Sequence, residues 1–230
     1  MTSDKSPAEV GEKWQHTLRV CRAVYDSGGH MNKPHGVLAS EMHTTVLVNA
    51  RVIMEEPALV RAAGRDLGQL LYRMAPDAFM GAIDMVVGVP DGAVTLAHEV
   101  AAYIGDYRKR TCRVGRVSKI ERDGAVAFDL ESLMSDVRGQ SVVLVEDVVT
   151  TLGTAARLAD SLTLAGARVQ PYVLALWNRS GKTSLKGRTI GALVNVPLAA
   201  VPARSCLWCA GSSRAVRPKG GAMWRALMSS

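Results

Sequence analysis

Residues 142–155 read VVLVEDVVTTLGTA: an apolar run, two adjacent carboxylates at Glu146 and Asp147, two valines, then Thr150, Thr151, Gly153 and Thr154. A carboxylate pair at the end of a buried strand is costly unless something cationic meets it. The hydroxyl-rich turn that follows enters a helix, where backbone N–H groups and the positive end of the helix dipole suit a phosphate monoester. Acids are out of place beside phosphate alone but natural beside a sugar phosphate, whose hydroxyls or cationic transition state they can hold.

The elements around this segment repeat one grammar. The run Met85-Val86-Val87-Gly88-Val89 ends in the turn Pro90-Asp91-Gly92 and is followed by a helical pattern over residues 94–104. Residues 142–145 form the second strand, residues 154–165 its helix, residues 173–176 a third strand and residues 192–194 a fourth. Between Pro57 and Pro76, Leu59, Val60, Ala63, Leu67, Leu70, Leu71 and Met74 fall on one face at helical period. Apolar strands alternating with helices predict a parallel sheet covered on both faces, with ligands at the carboxyl ends of the strands. The loops 89–92, 146–154 and 177–183 are therefore the candidate site. The first fifth of the chain is irregular, broken at Gly28-Gly29, Pro34 and Gly36, with a β-prone run at residues 44–48.

The chain has 230 residues, 48% hydrophobic and 21% charged, which is enough for one sizeable core. An aromatic share of 5% argues against a stacking surface for single-stranded nucleic acid. Twenty-eight basic residues face 21 acidic ones, and no carboxylate follows Asp160 whereas ten Lys or Arg do. That block favours a polyanion, either a phosphorylated small molecule or nucleic acid. The basic residues Arg214, Arg217, Lys219 and Arg225 come with no helix-turn-helix or aromatic platform, so nucleic acid is not expected as a partner. The start lacks an apolar signal region, the stretch 191–203 is too short to span a bilayer, and four cysteines make no disulfide framework, so a soluble cytoplasmic protein with no membrane partner is expected.

The segment 142–155 resembles the phosphoribosyl-pyrophosphate signature of the type I phosphoribosyltransferases. The resemblance implies that Glu146 and Asp147 take the ribose 2- and 3-hydroxyls and steady an oxocarbenium-like transition state, and that residues 150–154 cradle the 5-phosphate. Within that superfamily, further stretches resemble the orotate phosphoribosyltransferases. Residues 35–49, HGVLASEMHTTVLVN, are similar to the segment that caps the base, with Ser40 and Thr44 as implied substrate contacts. Val87-Gly88-Val89-Pro90-Asp91-Gly92-Ala93 is similar to the pyrophosphate loop, and residues 174–181 to the strand and loop whose arginine, here Arg179, holds the orotate carboxylate. Cys206-Leu207-Trp208-Cys209-Ala210-Gly211, followed by Arg217-Pro218-Lys219-Gly220, resembles a tail of one branch of the family.

The implied architecture is an α/β, type I phosphoribosyltransferase-like parallel sheet flanked by helices. Residues 1–56 form a cap, or hood, within the same domain, residues 57–203 the core and residues 204–230 a basic tail. The implied reaction joins orotate to ribose 5-phosphate from phosphoribosyl pyrophosphate, with Mg²⁺ as cofactor and Asp147 as its protein ligand. Another nucleobase, or a regulator that binds phosphoribosyl pyrophosphate without turnover, are the alternatives. A homodimer is expected if a mobile catalytic loop acts across subunits.

Three positions depart from the pattern. Leu152 stands where the family usually has glycine, so the phosphate turn is expected to be reshaped or phosphate binding impaired, and Glu41-Met42 stand where it commonly has glycine and a basic residue, so one phosphate contact is expected to be missing. The mobile loop, residues 116–124, has no histidine and leaves Lys119 and Arg122 to neutralise the leaving group. Gly181-Lys182-Thr183 ends like a P-loop, but Leu176 replaces its first glycine and makes the match fortuitous. Cys206 and Cys209 supply half a zinc site; the other half would have to come from Cys21, Cys112, a histidine or another subunit. The five histidines show no ligand spacing, and a structural or redox-sensitive cysteine pair is the expectation.

Overall fold

The computed structural model describes residues 7–20, 35–48, 50–75, 81–122 and 125–217. Gly28-Gly29, Pro34, Asn49, Pro76, Cys21 and the stretch from Pro218 through Lys219, Gly220 and Arg225 lie outside them, as does the side chain of Arg122.

A six-stranded sheet carries the molecule. Its strands are β3 (Met85–Gly88), β4 (Arg113–Gly115), β7 (Ser141–Val149), β8 (Arg168–Asn178), β9 (Ser184–Leu185) and β10 (Arg188–Asn195). They lie in the order β4-β3-β7-β8-β10-β9, parallel except for the β9 edge, which pairs antiparallel. Each central strand sends alternate side chains to opposite faces, and both faces are covered. Val86, Val143, Val145, Leu174 and Leu176 join a buried cluster with the helices α1 (Pro7–Val20), α3 (Pro57–Met74) and α4 (Val94–Arg108). Met85, Val87, Val142, Leu144 and Ala175 join a second cluster with α6 (Gly153–Leu164). Burial on both sides explains why these strands read as unbroken apolar runs.

The helix expected between two prolines spans Pro57–Met74. Glu56 caps it, its carboxylate accepting from the Ala58 amide at 3.4 Å, and Pro57 sits at the first position, where its missing N–H costs nothing. The short helix α2 (Arg51–Met54) precedes it.

A second, four-stranded sheet is built from the two ends of the described chain. β1 (His35–Val37) pairs antiparallel with β2 (Met42–Thr44), β2 with β11 (Val201–Pro202), and β1 runs parallel to β12 (Ala215–Val216). The run at residues 44–48 is strand only at its first residue. Residues 201–216, including the short helix α7 (Leu207–Ala210), thus share a sheet with the hood. The segment expected to be a mobile loop contributes to a hairpin, β5 (Ser118–Arg122) against β6 (Ala125–Asp129), and a short helix, α5 (Met134–Val137), follows it.

Candidate active site

The carboxyl ends of β3 and β7 open into a cavity of about 600 Å³. Leu38, Ala39, Ser40 and Glu41 of the hood wall one side, Pro90, Asp91 and Gly92 another, and Lys119 of the hairpin a third. Glu146, Asp147, Thr150, Thr151, Leu152, Gly153, Thr154, Arg157 and Arg179 also line it, with Val48, Val89 and Val148 as its apolar part. Of the three predicted loops, 89–92 lines the cavity throughout and 146–154 at every residue except the core residue Val149, while 177–183 contributes Arg179.

The acidic pair ends β7. Asp147 accepts from the Val148 amide at 2.7 Å, and Glu146 Oε2 is buried without a hydrogen-bond partner. Burial, reinforced by the neighbouring Asp147 and opposed by Lys119, pushes the Glu146 carboxyl up to about 8. Burial also raises Asp147, opposed by the backbone hydrogen bonds it accepts and by Arg51. The pair is therefore held short of positive charge, as a site awaiting a cation requires. Gly92 makes room for it: a Cβ there would overlap the Asp147 carboxylate, so only glycine lets the turn after β3 close over the acids.

The turn from β7 into α6 keeps a left-handed residue without glycine. Leu152 has φ 56° and ψ 19°, is 2% exposed, and belongs to the same buried cluster as Val149, Ala155 and Leu158. The left-handed backbone costs about 1–2 kcal/mol for a residue with a Cβ, and burial of a leucine side chain returns a similar or larger amount, about 1.5–3 kcal/mol. The left-handed turn is thus kept without glycine, and residues 152–154 line the cavity. Glu41 repeats the conformation, with φ 61°, at the β1–β2 turn. Its carboxylate pairs with Arg217 of the tail and lies on the cavity rim.

Arg179 is 3% exposed and spans hood and core. It donates to the Val46 carbonyl at 3.1 Å, the Thr44 hydroxyl at 2.9 Å and the Ala199 carbonyl at 3.4 Å, which leaves Nε without a partner. Burial lowers it to about 10, so the guanidinium stays charged at neutral pH. Ser40 faces the cavity, its hydroxyl also unpartnered. Thr44 corrects the sequence reading: it is fully buried behind Arg179, donating to the Ala199 carbonyl at 2.7 Å, and does not line the cavity. Lys119 reaches the cavity from β5, whereas for Arg122 only the backbone, at the end of that strand, is described. Two basic residues escaped the sequence reading. Arg157 lies one helical turn after Thr154 and lines the cavity; Arg51, at the start of α2, acts electrostatically on Asp147. The spacing of Arg157 from Thr154 was a usable signal, whereas Arg51 had none.

The phosphoribosyl transferase domain family model matches residues 58–191, more than half of the chain. The chain belongs to the phosphoribosyltransferase family. Among curated relatives, the orotate phosphoribosyltransferase of Heliobacterium modesticaldum is 28% identical over 184 residues, 80% of this chain and 88% of its own length. That of a Methylobacterium species is 30% identical over 183 residues, 78% of this chain and 84% of its own. The crystal structure of a phosphoribosyltransferase from Corynebacterium diphtheriae shares the fold, with a TM-score of 0.56 at 18% identity, covering 82% of this chain and 96% of that one. The match places the family's core on α3 through β10. No helix among the described residues is long and apolar enough to cross a membrane.

Proposed function

We propose that this phosphoribosyltransferase moves ribose 5-phosphate from phosphoribosyl pyrophosphate to orotate, releasing pyrophosphate and orotidine 5-monophosphate. The observation that carries the reading is the unneutralised pair Glu146–Asp147 on the wall of a cavity shared with a hydroxyl-rich helix start and a buried arginine with a free Nε. The names of the curated relatives support the choice of base.

The C1–oxygen bond to pyrophosphate breaks, a bond from C1 to a ring nitrogen of orotate forms, and the nitrogen loses its proton. Positive charge grows on the sugar and negative charge on the leaving group. Glu146 and Asp147 bind the ribose hydroxyls and stabilise the first; Lys119, Arg122 and the backbone amides of Asp91 and Gly92, in the turn that Pro90 starts, meet the second. Thr150, Thr151, Gly153 and Thr154 hold the 5-phosphate at the start of α6, with Arg157 beside them. Arg179 Nε and the Ser40 hydroxyl orient the base, and Thr44 positions Arg179.

Paired carboxylates with an unpartnered oxygen are hard oxygen donors and fit Mg²⁺, which would be held by Asp147 together with substrate oxygens. When bound, the ion supplies charge neutralisation to the pyrophosphate. A homodimer and a cytoplasmic location complete the proposal.

The test is orotate consumption, followed by its ultraviolet absorbance, with phosphoribosyl pyrophosphate and with or without Mg²⁺. Magnesium-dependent loss of orotate is expected. If orotate persists while phosphoribosyl pyrophosphate still raises the melting temperature, the base is different or the protein is a sensor.

A further inference from the structure

Away from the cavity, on the outer part of the hood sheet, four soft or borderline ligands converge. His35 of β1, His43 of β2, and Cys206 and Cys209 around α7 bring one ligand atom each within 4.8 Å of all the others. His35 Nε2 lies 2.9 Å from His43 Nδ1, 3.5 Å from Cys206 Sγ and 3.4 Å from Cys209 Sγ; Cys209 Sγ is also 3.4 Å from His43 Nδ1. Both histidines and Cys206 are buried, and Cys209 is exposed.

Hydrogen bonding does not account for this arrangement. A ring nitrogen offers one proton or one lone pair, yet His35 Nε2 faces three partners at once. An ion at the centre gives each of the four atoms its own bond. With Zn–S near 2.3 Å and Zn–N near 2.0–2.1 Å, a tetrahedral site separates sulfur from nitrogen by roughly 3.5–3.6 Å, close to the three sulfur–nitrogen distances, and nitrogen from nitrogen by roughly 3.3–3.4 Å, so an ion would spread the two rings by about half an ångström from their 2.9 Å separation. The geometry points to a structural zinc site, Cys₂His₂, that the spacing of the histidines alone does not reveal. Two thiolates and two neutral imidazoles cancel the charge of the ion, so the site buries no net charge. The other ring nitrogen of His35 is 3.0 Å from the Ser213 hydroxyl, the outer contact that fixes a ligating imidazole, and the Trp208 ring packs 5.7 Å from it, centre to centre. Cys209 leaves the ion a way in. The site would lock together the hood and the tail, and with them the turn that presents Ser40 and Glu41 to the cavity.

The closing experiment is metal analysis of the full-length protein purified under reducing conditions with no metal added. The expected result is about one zinc per chain, lost in Cys206→Ser and Cys209→Ser. Chelator-treated wild-type protein given Co²⁺ should show the intense visible absorption of a tetrahedral thiolate site, and Ser213→Ala, which leaves all four ligands in place, should bind zinc about 10–100-fold more weakly. Zinc below a tenth of an equivalent in the wild-type protein together with no cobalt spectrum would overturn the proposal, as would recovery of Cys206 and Cys209 mainly as a disulfide. None of these readouts uses orotate or phosphoribosyl pyrophosphate, so they stand or fall separately from the transferase reading.

Discussion

The two turns that frame the cavity adopt the same uncommon backbone and secure it by opposite means. At the β7–α6 turn, Leu152 is held left-handed by burial in the core. At the β1–β2 turn, Glu41 is held left-handed at the surface by the Glu41 amide donating to the Leu38 carbonyl at 3.0 Å, the Leu38 amide donating to the Met42 carbonyl at 2.8 Å, and the ion pair to Arg217. One turn draws on apolar packing, which water does not weaken; the other draws on polar contacts that water and salt compete for. The β7–α6 side is therefore the wall fixed by the core itself, and the hood side the wall that depends on polar contacts and on its tie to the tail.

Changing the fixed wall should cost most. Assayed above about pH 8, where Glu146 is ionised, Glu146→Gln and Asp147→Asn each remove a charge from beside the developing cation and should lower kcat by about 10²–10³-fold with little change in melting temperature, read by the orotate assay. The Glu146 carboxyl, raised to about 8, holds its proton more readily in the fold than in the unfolded chain. Its neutral form therefore favours folding at low pH, and that contribution fades as pH climbs to about 8. Catalysis needs the charged form, so kcat/KM for phosphoribosyl pyrophosphate should rise with pH and level off above about 8 in the parent; a flat profile over that range would remove Glu146 from the titrating group.

Arg179 joins the two walls. Arg179→Ala should raise the KM for orotate at least about 10-fold while leaving that for phosphoribosyl pyrophosphate nearly unchanged, and should also lower stability because Thr44 and the Val46 and Ala199 carbonyls lose a buried donor. Equal effects on both substrates would take it out of the base site.

At position 152 the comparison becomes quantitative. Leu152→Ala keeps the strained backbone and loses the packing, so it should destabilise by about 2–4 kcal/mol; Leu152→Gly also loses the packing but relieves the strain, so it should cost about 1 kcal/mol less than alanine in urea unfolding. Alanine being the milder change would mean that the left-handed backbone at this turn carries no strain for burial to offset. The smallest effect belongs to the exposed pair: Glu41→Gln should shift stability by less than about 0.5 kcal/mol, and any effect on orotate KM should shrink in high salt.

The core was legible because its strands are long, buried on both faces and joined by local turns, and the motif from Glu146 to Thr154 sits where that grammar puts a ligand. The hood was not. Its strands run two or three residues, too short to show a period, and their partners lie far away in sequence: His35 meets Ala215, and Val201 meets His43. Thr44 was an expected substrate contact through the resemblance of residues 35–49 alone, whereas its hydroxyl turns inward to Arg179 and the Ala199 carbonyl. Leu152 read as a defect because a sequence shows the Cβ but not the pocket that receives it.

The pairing of β1 with β12 also imposes an order of events during synthesis. His35 emerges from the ribosome long before Ser213, 178 positions downstream, and its sheet partner Ala215 follows later still. At 5–20 residues per second the wait is roughly ten to forty seconds. Throughout that interval the parallel core can assemble while β1 has only its hairpin partner β2 to join, so the nascent chain completes the hood wall of the cavity last, once the residues that close the second sheet have emerged.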